Sequence, residues 1–567
     1  MFKKIVRIGL LSTLMLAAFA SCEEEQQFTN ENTDARRIDV AQLPANLAKV
    51  RDYVPLYAVA AHRGSIFWTP EETEASWRWA REMGADYLES DMQATKDGIV
   101  LANHDENVKR TTNIQSFFSD YVPAEIRKAF YRSFKNADGS QVFSEADIEA
   151  QYQRDVNDFR TYYTMSYYYA ELLMLDSGEW FNRANDTREQ GRSTYAATQL
   201  GRINDTNDGL IYSNGLYVSA IQDQIAFAEG KKLKRDANGV RILPYKIKDK
   251  YKGMTLKQIY ESEKVTVKCD DPSVKYSYAA KYMDFVEYDF ANAYVADEED
   301  TGNRPGIYIE FKESWLNPKD MEVRVYNVLA ECGWNIITKD PGEQPFYKGG
   351  KVNVGNTRGR VILQTFSFDA LHRAYDVFKG QVPMCFLLWI SDPPYATDIA
   401  YDTPTGYADF IRYGQDYGAH IIGPAISGAP NNYPEMNQPW QAYMIRKSGM
   451  LNHPYSFDSY AQMLKYMGYY TDYYGQGNTT MFDDVLQVTV PATPYTNFSG
   501  TKSVPVYLDG YFTNRSEISL RYMIENGFRC NANLPDPFHP GKKFDNSQAP
   551  SVVPDVDQTL NRLGYTK

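Results

Sequence analysis

The chain holds 567 residues, enough for one large domain with insertions or for two to three ordinary ones. At 43% hydrophobic and 23% charged residues the composition is that of a globular protein and not of a disordered one. The formal net charge of −13 argues against a nucleic-acid surface, because phosphate backbones need a basic footprint, but a few local cations suffice for one small phosphorylated ligand.

Lys3, Lys4 and Arg7 precede the apolar run Ile8–Ala20, which is too short to cross a bilayer. The small residues ahead of Cys22 resemble a bacterial lipoprotein signal. That resemblance implies a signal peptide over 1–21, cleavage before Cys22 and lipidation of its thiol. Residues 22–50 then form a lipid-anchored linker, and the expected location is the bacterial outer membrane, facing the periplasm or the cell surface. Glu23, Glu24 and Glu25 read either as a surface-export signal or as a solvated linker run. Of the other cysteines, Cys385 sits in a buried strand pattern. No CxxC pair joins Cys269, Cys332 or Cys530, so zinc on thiolates is not expected.

From Leu56 the pattern becomes strand, loop, helix. Leu56–Ala61 reads as a buried strand, and Glu74–Met83 as a helix with Trp77 and Ala80 on one face, stopped by Gly84. Asp86–Met92 and Ile99–Asn103 are further strands around a Lys96-Asp97-Gly98 turn, too close together for a helical crossover. Residues 113–165 read as a helical insertion. Ser166–Phe181 looks like a return to the main pattern, Val218–Gly230 is a helix, and 231–305 is a second, irregular insertion. Strands follow at Gly306–Lys312, Val361–Phe366, Met384–Ile390, His420–Gly423, Gly449–Tyr455 and Leu508–Thr513, with helices at Lys319–Cys332 and Phe368–Phe378. The expected fold is an α/β TIM (β/α)8 barrel over 51–567, with a helical insertion after the third strand and an irregular one before the fourth. Nine strand candidates compete for eight positions, and the surplus is expected among the late ones.

Chemistry gathers where three early strands end. His62-Arg63-Gly64, Glu89-Ser90-Asp91 and His104-Asp105 each close an apolar run, which is where a parallel barrel keeps its active site. Glu89 and Asp91 are two apart and share a strand face, as do Glu310 and Lys312. Three carboxylates meeting at one mouth suit a hard divalent cation, Mg²⁺ or Ca²⁺. Arg63 and Lys312 supply positive charge for a phosphate, and His62 and His104 can act as an acid–base pair.

These residues carry a resemblance. Ala61-His62-Arg63-Gly64, Pro70-Glu71, Gly84-Ala-Asp-Tyr-Leu-Glu89-Ser-Asp91, Thr95-Lys-Asp-Gly98 and His104-Asp105 with Arg110-Thr-Thr112 look like the glycerophosphodiester phosphodiesterase family of TIM barrels. Ile309-Glu310-Phe-Lys312, Gln364-Thr-Phe366, His453-Pro-Tyr-Ser456 and Asp509-Gly-Tyr-Phe-Thr513 extend the match, the His-Pro-Tyr element resembling the periplasmic branch. The resemblance implies hydrolysis of small glycerophosphodiesters to glycerol 3-phosphate and an alcohol. It assigns His62 and His104 as acid and base, Glu89, Asp91 and Glu310 as ligands of a Ca²⁺ or Mg²⁺ ion, and Arg63 and Lys312 as phosphate holders. Attack by the neighbouring glycerol hydroxyl, through a cyclic phosphate, and direct attack by water both fit these residues.

Two departures from the family pattern concern the mouth. Glu72 stands where the pattern has Asn, which adds a negative charge, and Asn514 ends a closing motif that otherwise ends in Asp. Trp180 and Phe181 read as pocket wall or as core. Two other functions use related text: a sphingomyelinase- or phospholipase D-type lipid phosphodiesterase, and a non-catalytic surface binding lipoprotein. The second would lack a metal or acid–base residue, and none is missing here.

Overall fold

The computed structural model describes residues 38–118, 128–129, 131–132, 138–141, 143–158, 162–178, 180–183, 216–268, 275–279, 286–312, 320–389, 400–428, 433–468, 481–483, 488–490, 494–497, 500–503 and 507–565. Residues 1–37, with the signal segment, Cys22 and the acidic run, lie outside the described residues, as do Cys269 and most of 113–142.

Eight short parallel strands form the frame. They are β1 (Ala58–Ala61), β2 (Tyr87–Ala94), β3 (Gly306–Phe311), β4 (Val361–Thr365), β5 (Met384–Leu388), β6 (Ile421–Pro424), β7 (Leu451–Asn452) and β8 (Gly510–Thr513). Their order in the sheet is β7-β6-β5-β4-β3-β2-β1-β8, every neighbour parallel. The two ends of that order meet through backbone hydrogen bonds from Asp509 N–H to Asn452 O (3.0 Å) and from Phe512 N–H to Pro454 O (3.1 Å). The sheet is thereby closed into a cylinder with no free edge. Aromatic rings fill its interior: Tyr308 lies 5.8 Å from Tyr87, 4.8 Å from Phe512 and 6.1 Å from His453, centroid to centroid. Gly510 makes this fit possible, since a Cβ there would come within 2.7 Å of His453 Nε2.

Helices cover the outside. In chain order they are α1 (Ala45–Arg51), α2 (Glu74–Met83), α3 (Ile221–Ala228), α4 (Met321–Glu331), α5 (Phe368–Phe378), α6 (Pro404–Asp416), α7 (Pro439–Ser448) and α8 (Ser516–Glu525). Helix α2 matches the expectation residue for residue, with Gly84 in the left-handed conformation (φ 93°) that ends it. Trp77 and Ala80 are fully buried in the core cluster shared with α3 and β3. Helix α1 lies at the closed end: Arg51 Nη1 donates to Gly449 O just before β7, and Leu47 packs near Gly380 ahead of β5.

The surplus strand is an early one, which corrects the expectation. Val100–Ala102 pairs antiparallel with Met92–Ala94, folding back over the turn at Lys96–Gly98 as a hairpin above the rim, while every late candidate is a stave. A turn this short admits only a hairpin, because a parallel return needs a helical crossover. Both inserted regions therefore belong to the β2-to-β3 connection, on either side of α3. Ser166–Phe181 is likewise not a return to the barrel. It forms short helices whose Tyr167, Tyr169 and Leu172 join Leu101 and Val108 in a separate small core. The barrel pattern resumes at Ser219–Ala220 and α3. Residues 231–305 carry paired short strands, such as Lys231–Leu233 against Tyr294–Ala296.

Candidate active site

The register of three parallel staves assembles an acidic cluster. Asp91 on β2 stands opposite Glu310 on β3, and Glu310 stands opposite Gln364 on β4. Glu89 shares Asp91's face one step lower. As a result, carboxylate oxygens of Glu89, Asp91 and Glu310 lie within 4.8 Å of one another, all three side chains buried. Glu310 thus stands beside the Glu89/Asp91 pair despite 218 intervening positions in the chain, as the barrel reading requires.

The β1 loop supplies the next layer. Arg63 (φ 49°), Gly64 (φ 87°) and Ser65 (φ 69°) are consecutive left-handed residues, a curl that costs about 1–2 kcal/mol at each non-glycine position. Gly64 is required there, since a Cβ would lie 2.4 Å from Ser76 Oγ. The curl aims Arg63 N–H at Glu89 Oε2 (2.6 Å) and sets the guanidinium Nε 3.0 Å from Asp91 Oδ2. Gln364 Nε2 donates to the other oxygen of Glu89 at 2.8 Å. Lys312 Nζ lies 2.9 Å from Glu310 Oε1 and 3.4 Å from Asp91 Oδ1.

Charge within the cluster is unevenly shared. Burial, followed by the charge of Asp91, pushes Glu89 well above the usual carboxylate range. Burial lifts Glu310 to about 7 against the pull of Lys312. Burial also acts to raise Asp91, but Lys312, His104, Arg63 and His62 together outweigh it and hold that carboxyl well below its usual range. Three buried carboxyls this close do not all ionise without a counter-charge. A divalent cation would supply such a counter-charge, and oxygens are its preferred donors. Asp91 Oδ2 makes no well-aligned hydrogen bond, so an acceptor of the right kind points into the cluster. The three residues could hold a metal ion.

Glu72 lies buried behind Asp91. Its Oε1 accepts the Asp91 backbone N–H at 2.7 Å, and burial with the nearby Asp91 and Glu71 charges pushes the carboxyl well above its usual range. Burial thus works against a negative charge on Glu72.

Each histidine has a fixed partner at Nδ1. His62 Nδ1 is 2.7 Å from Asn514 Oδ1, and His104 Nδ1 is 2.7 Å from Asp105 Oδ1. Asp105 in turn accepts from Arg110 Nε at 2.7 Å, and Arg110 grips buried Glu71 through both terminal nitrogens (2.8 and 2.5 Å). Burial opposes ionisation of Asp105, but its bonds to His104 and Arg110 hold the carboxyl well below the usual range. On both rings Nε2 is the nitrogen turned away from these partners. Trp180 and Phe181 belong to the core beside Phe67 and Trp68, with Arg110 lying 5.7 Å over the Trp180 ring.

The structure therefore gathers His62, Arg63, Glu89, Asp91, His104, Glu310 and Lys312 at one rim. Sequence reasoning quoted Gln364, Glu71 and Arg110 without giving them a place, and passed over Asp458. The only local signal for Asp458 is its position five residues after His453, at the end of the seventh strand run.

Comparison with known proteins bears on this region. Residues 62–173 match the model of the glycerophosphoryl diester phosphodiesterase family. A glycerophosphodiester phosphodiesterase of Caldanaerobacter subterraneus subsp. tengcongensis is 49% identical over 70 residues, 12% of this chain and 29% of that protein. One from Bacillus subtilis is 44% identical over 68 residues, 12% of this chain and 23% of the relative. The chain thus spans less than a third of the length of either relative. A solved phosphodiesterase of Oleispira antarctica, in complex with the product sn-glycerol-3-phosphate, is 13% identical and aligns over 82% of this chain and 97% of its own. Its TM-score of 0.36 is too low for the likeness to bear on this chain. The family match starts at His62 itself and takes in Glu89, Asp91 and His104, the residues that the barrel sets around its mouth: over residues 62–173 the chain is similar to the glycerophosphoryl diester phosphodiesterase family.

Proposed function

We propose that this protein hydrolyses glycerophosphodiesters to glycerol 3-phosphate and an alcohol. The observation that carries the reading is the Glu89–Asp91–Glu310 cluster with Arg63 and Lys312 against it, since that arrangement of charge suits a phosphodiester. Glu89, Asp91 and Glu310 would hold Ca²⁺ or Mg²⁺, which when bound neutralises charge on the phosphate oxygens. Arg63 and Lys312 hold the phosphate and stabilise the charge that grows on its non-bridging oxygens. One imidazole takes the proton of the attacking hydroxyl at Nε2, and the other returns a proton to the departing alcohol oxygen. A glycerol hydroxyl already tethered beside phosphorus gains from proximity, and the same pair of histidines serves an attacking water.

The test is release of glycerol 3-phosphate from glycerophosphocholine, with and without chelator, beside release of alcohol from lysolipid. Chelator should abolish turnover and added Ca²⁺ or Mg²⁺ restore it. His62→Ala and His104→Ala should each remove turnover while metal binding persists. Cleavage of lysolipid alone would replace the headgroup assignment with the lipid phosphodiesterase one, and full activity in either histidine variant would end the acid–base assignment.

We further propose lipid attachment at Cys22. Helix α1 lies under the closed end of the barrel, so the tether would leave from the face opposite the mouth. Fatty-acid labelling of the intact protein that survives Cys22→Ser would refute this.

A further inference from the structure

The hydrogen bonds behind His62 do more than hold a ring. We infer that Asn514, clamped by Asp458, is a positioning residue that fixes which nitrogen of His62 carries the proton. This rests on the hydrolytic reading above. A side-chain amide has a donor end and an acceptor end, and its orientation follows from what each end meets. Asn514 Nδ2 lies 3.0 Å from Asp458 Oδ2, and the Asn514 backbone N–H donates to Asp458 Oδ1 at 2.7 Å. Ser456 Oγ adds a third donor to Asp458 at 3.1 Å. Asn514 and Asp458 are both buried, 1% and 6% exposed, so water does not compete for these bonds.

Asp458 accepts at Oδ1 from the Asn514 backbone N–H and at Oδ2 from Ser456 Oγ, so the amide nitrogen, a donor, is the end that faces it. The amide oxygen must then face His62, whose Nδ1 lies 2.7 Å away. That oxygen only accepts as well, so Nδ1 must be the N–H and donate. Nε2 is left with its lone pair, ready to take a proton from a substrate hydroxyl or from water. Turning the amide over would oppose oxygen to carboxylate at one end and NH₂ to an N–H at the other, losing both bonds at once. The two residues come from different places, Asp458 from the loop after β7 and Asn514 from the end of β8. The charge sits on Asp458 and the neutral amide is the intermediary. A carboxylate placed at 514 with Asp458 unchanged would set two acids about 3 Å apart, a separation at which both do not ionise.

Exchanging the two side chains tests this. Asp458→Asn releases the amide of Asn514 to turn, and Asn514→Asp sets carboxyl against carboxyl. Each should lower kcat on glycerophosphocholine by about 100-fold or more, the range expected when one partner in general acid–base catalysis is mis-set, with KM within about twofold. The double variant Asp458→Asn/Asn514→Asp rebuilds the relay with its charge moved one step closer to the ring. The amide now at position 458 donates to the carboxylate now at position 514, and that carboxylate accepts from His62 Nδ1. Its kcat should recover to within a few fold of the native protein, while the singles melt within a few degrees of it, a split between rate and stability that a residue merely stapling two loops would not give. If a single variant fails to fold, the double variant still decides. Native kcat in the singles, or a double variant no faster than the slower single, overturns the inference. Failure of the native protein itself to release glycerol 3-phosphate would instead overturn the hydrolytic reading.

Discussion

Gln364 offers a sharp test of the acidic cluster, because its side chain has one polar tie among the described residues. Its Nε2 donates to Glu89 Oε1 at 2.8 Å, its own Oε1 makes no hydrogen bond, and both residues are 1% exposed. Gln364→Leu keeps the volume and removes that donor. Glu89 would keep only the Arg63 N–H at 2.6 Å on its other oxygen and could rotate away from Asp91 and Glu310. Loss of a partner that orients a metal-binding carboxylate costs about 10- to 100-fold in affinity, or about 1.4–2.7 kcal/mol. Titration calorimetry of Ca²⁺ and Mg²⁺ into chelator-stripped protein at pH 8, above the value of about 7 for Glu310, measures this directly. Thr365→Val is the control. Thr365 is the next residue on β4, points to the other face and donates instead to Phe311 O at 2.9 Å, so its loss should lower stability and leave metal affinity alone. Unchanged affinity in Gln364→Leu, or an equal loss in Thr365→Val, would refute the claim that Glu89 belongs to a preset metal cluster.

Two further predictions concern protons. Glu72→Gln replaces an acid whose charge is disfavoured by burial beside Asp91 and Glu71 with its neutral isostere, so turnover should change little. Because the native carboxyl is pushed above its unfolded value, native stability falls as pH rises past about 4.5; the variant should melt higher, by a margin that widens as pH rises from there. A margin that shrinks with rising pH would contradict a raised Glu72. His420 and His453 are held neutral by burial, both lowered to about 3. The unfolded chain takes up their protons first, so stability is lost as pH falls from about 6.5 toward 3, at up to ~1.4 kcal/mol per pH unit for each. His420→Asn should therefore flatten the difference between urea unfolding at pH 7 and at pH 5 by about 2 kcal/mol, and an unaltered slope would show that His420 is not the buried neutral base described.

What the sequence determined by itself lies within single strands. The two-residue spacing of Glu89 and Asp91, and of Glu310 and Lys312, placed each pair on one face before any fold was known, because strand alternation is a property of one chain segment. The apolar runs located all eight staves, and the turn at Lys96–Gly98 already ruled out a helical crossover there. The runs did not say which strand was surplus. Val100–Ala102 is as apolar as a stave, and only its antiparallel pairing sets it apart. Neither could sequence show that Asp91, Glu310 and Gln364 stand in one row, that Asp458 reaches Asn514 behind His62, or that Glu72 is buried against Asp91. Those facts depend on register between strands distant in the chain, and on burial created only when the cylinder closes. Spacing along one strand is local geometry, whereas the partner of a side chain and the charge it carries belong to the assembled barrel.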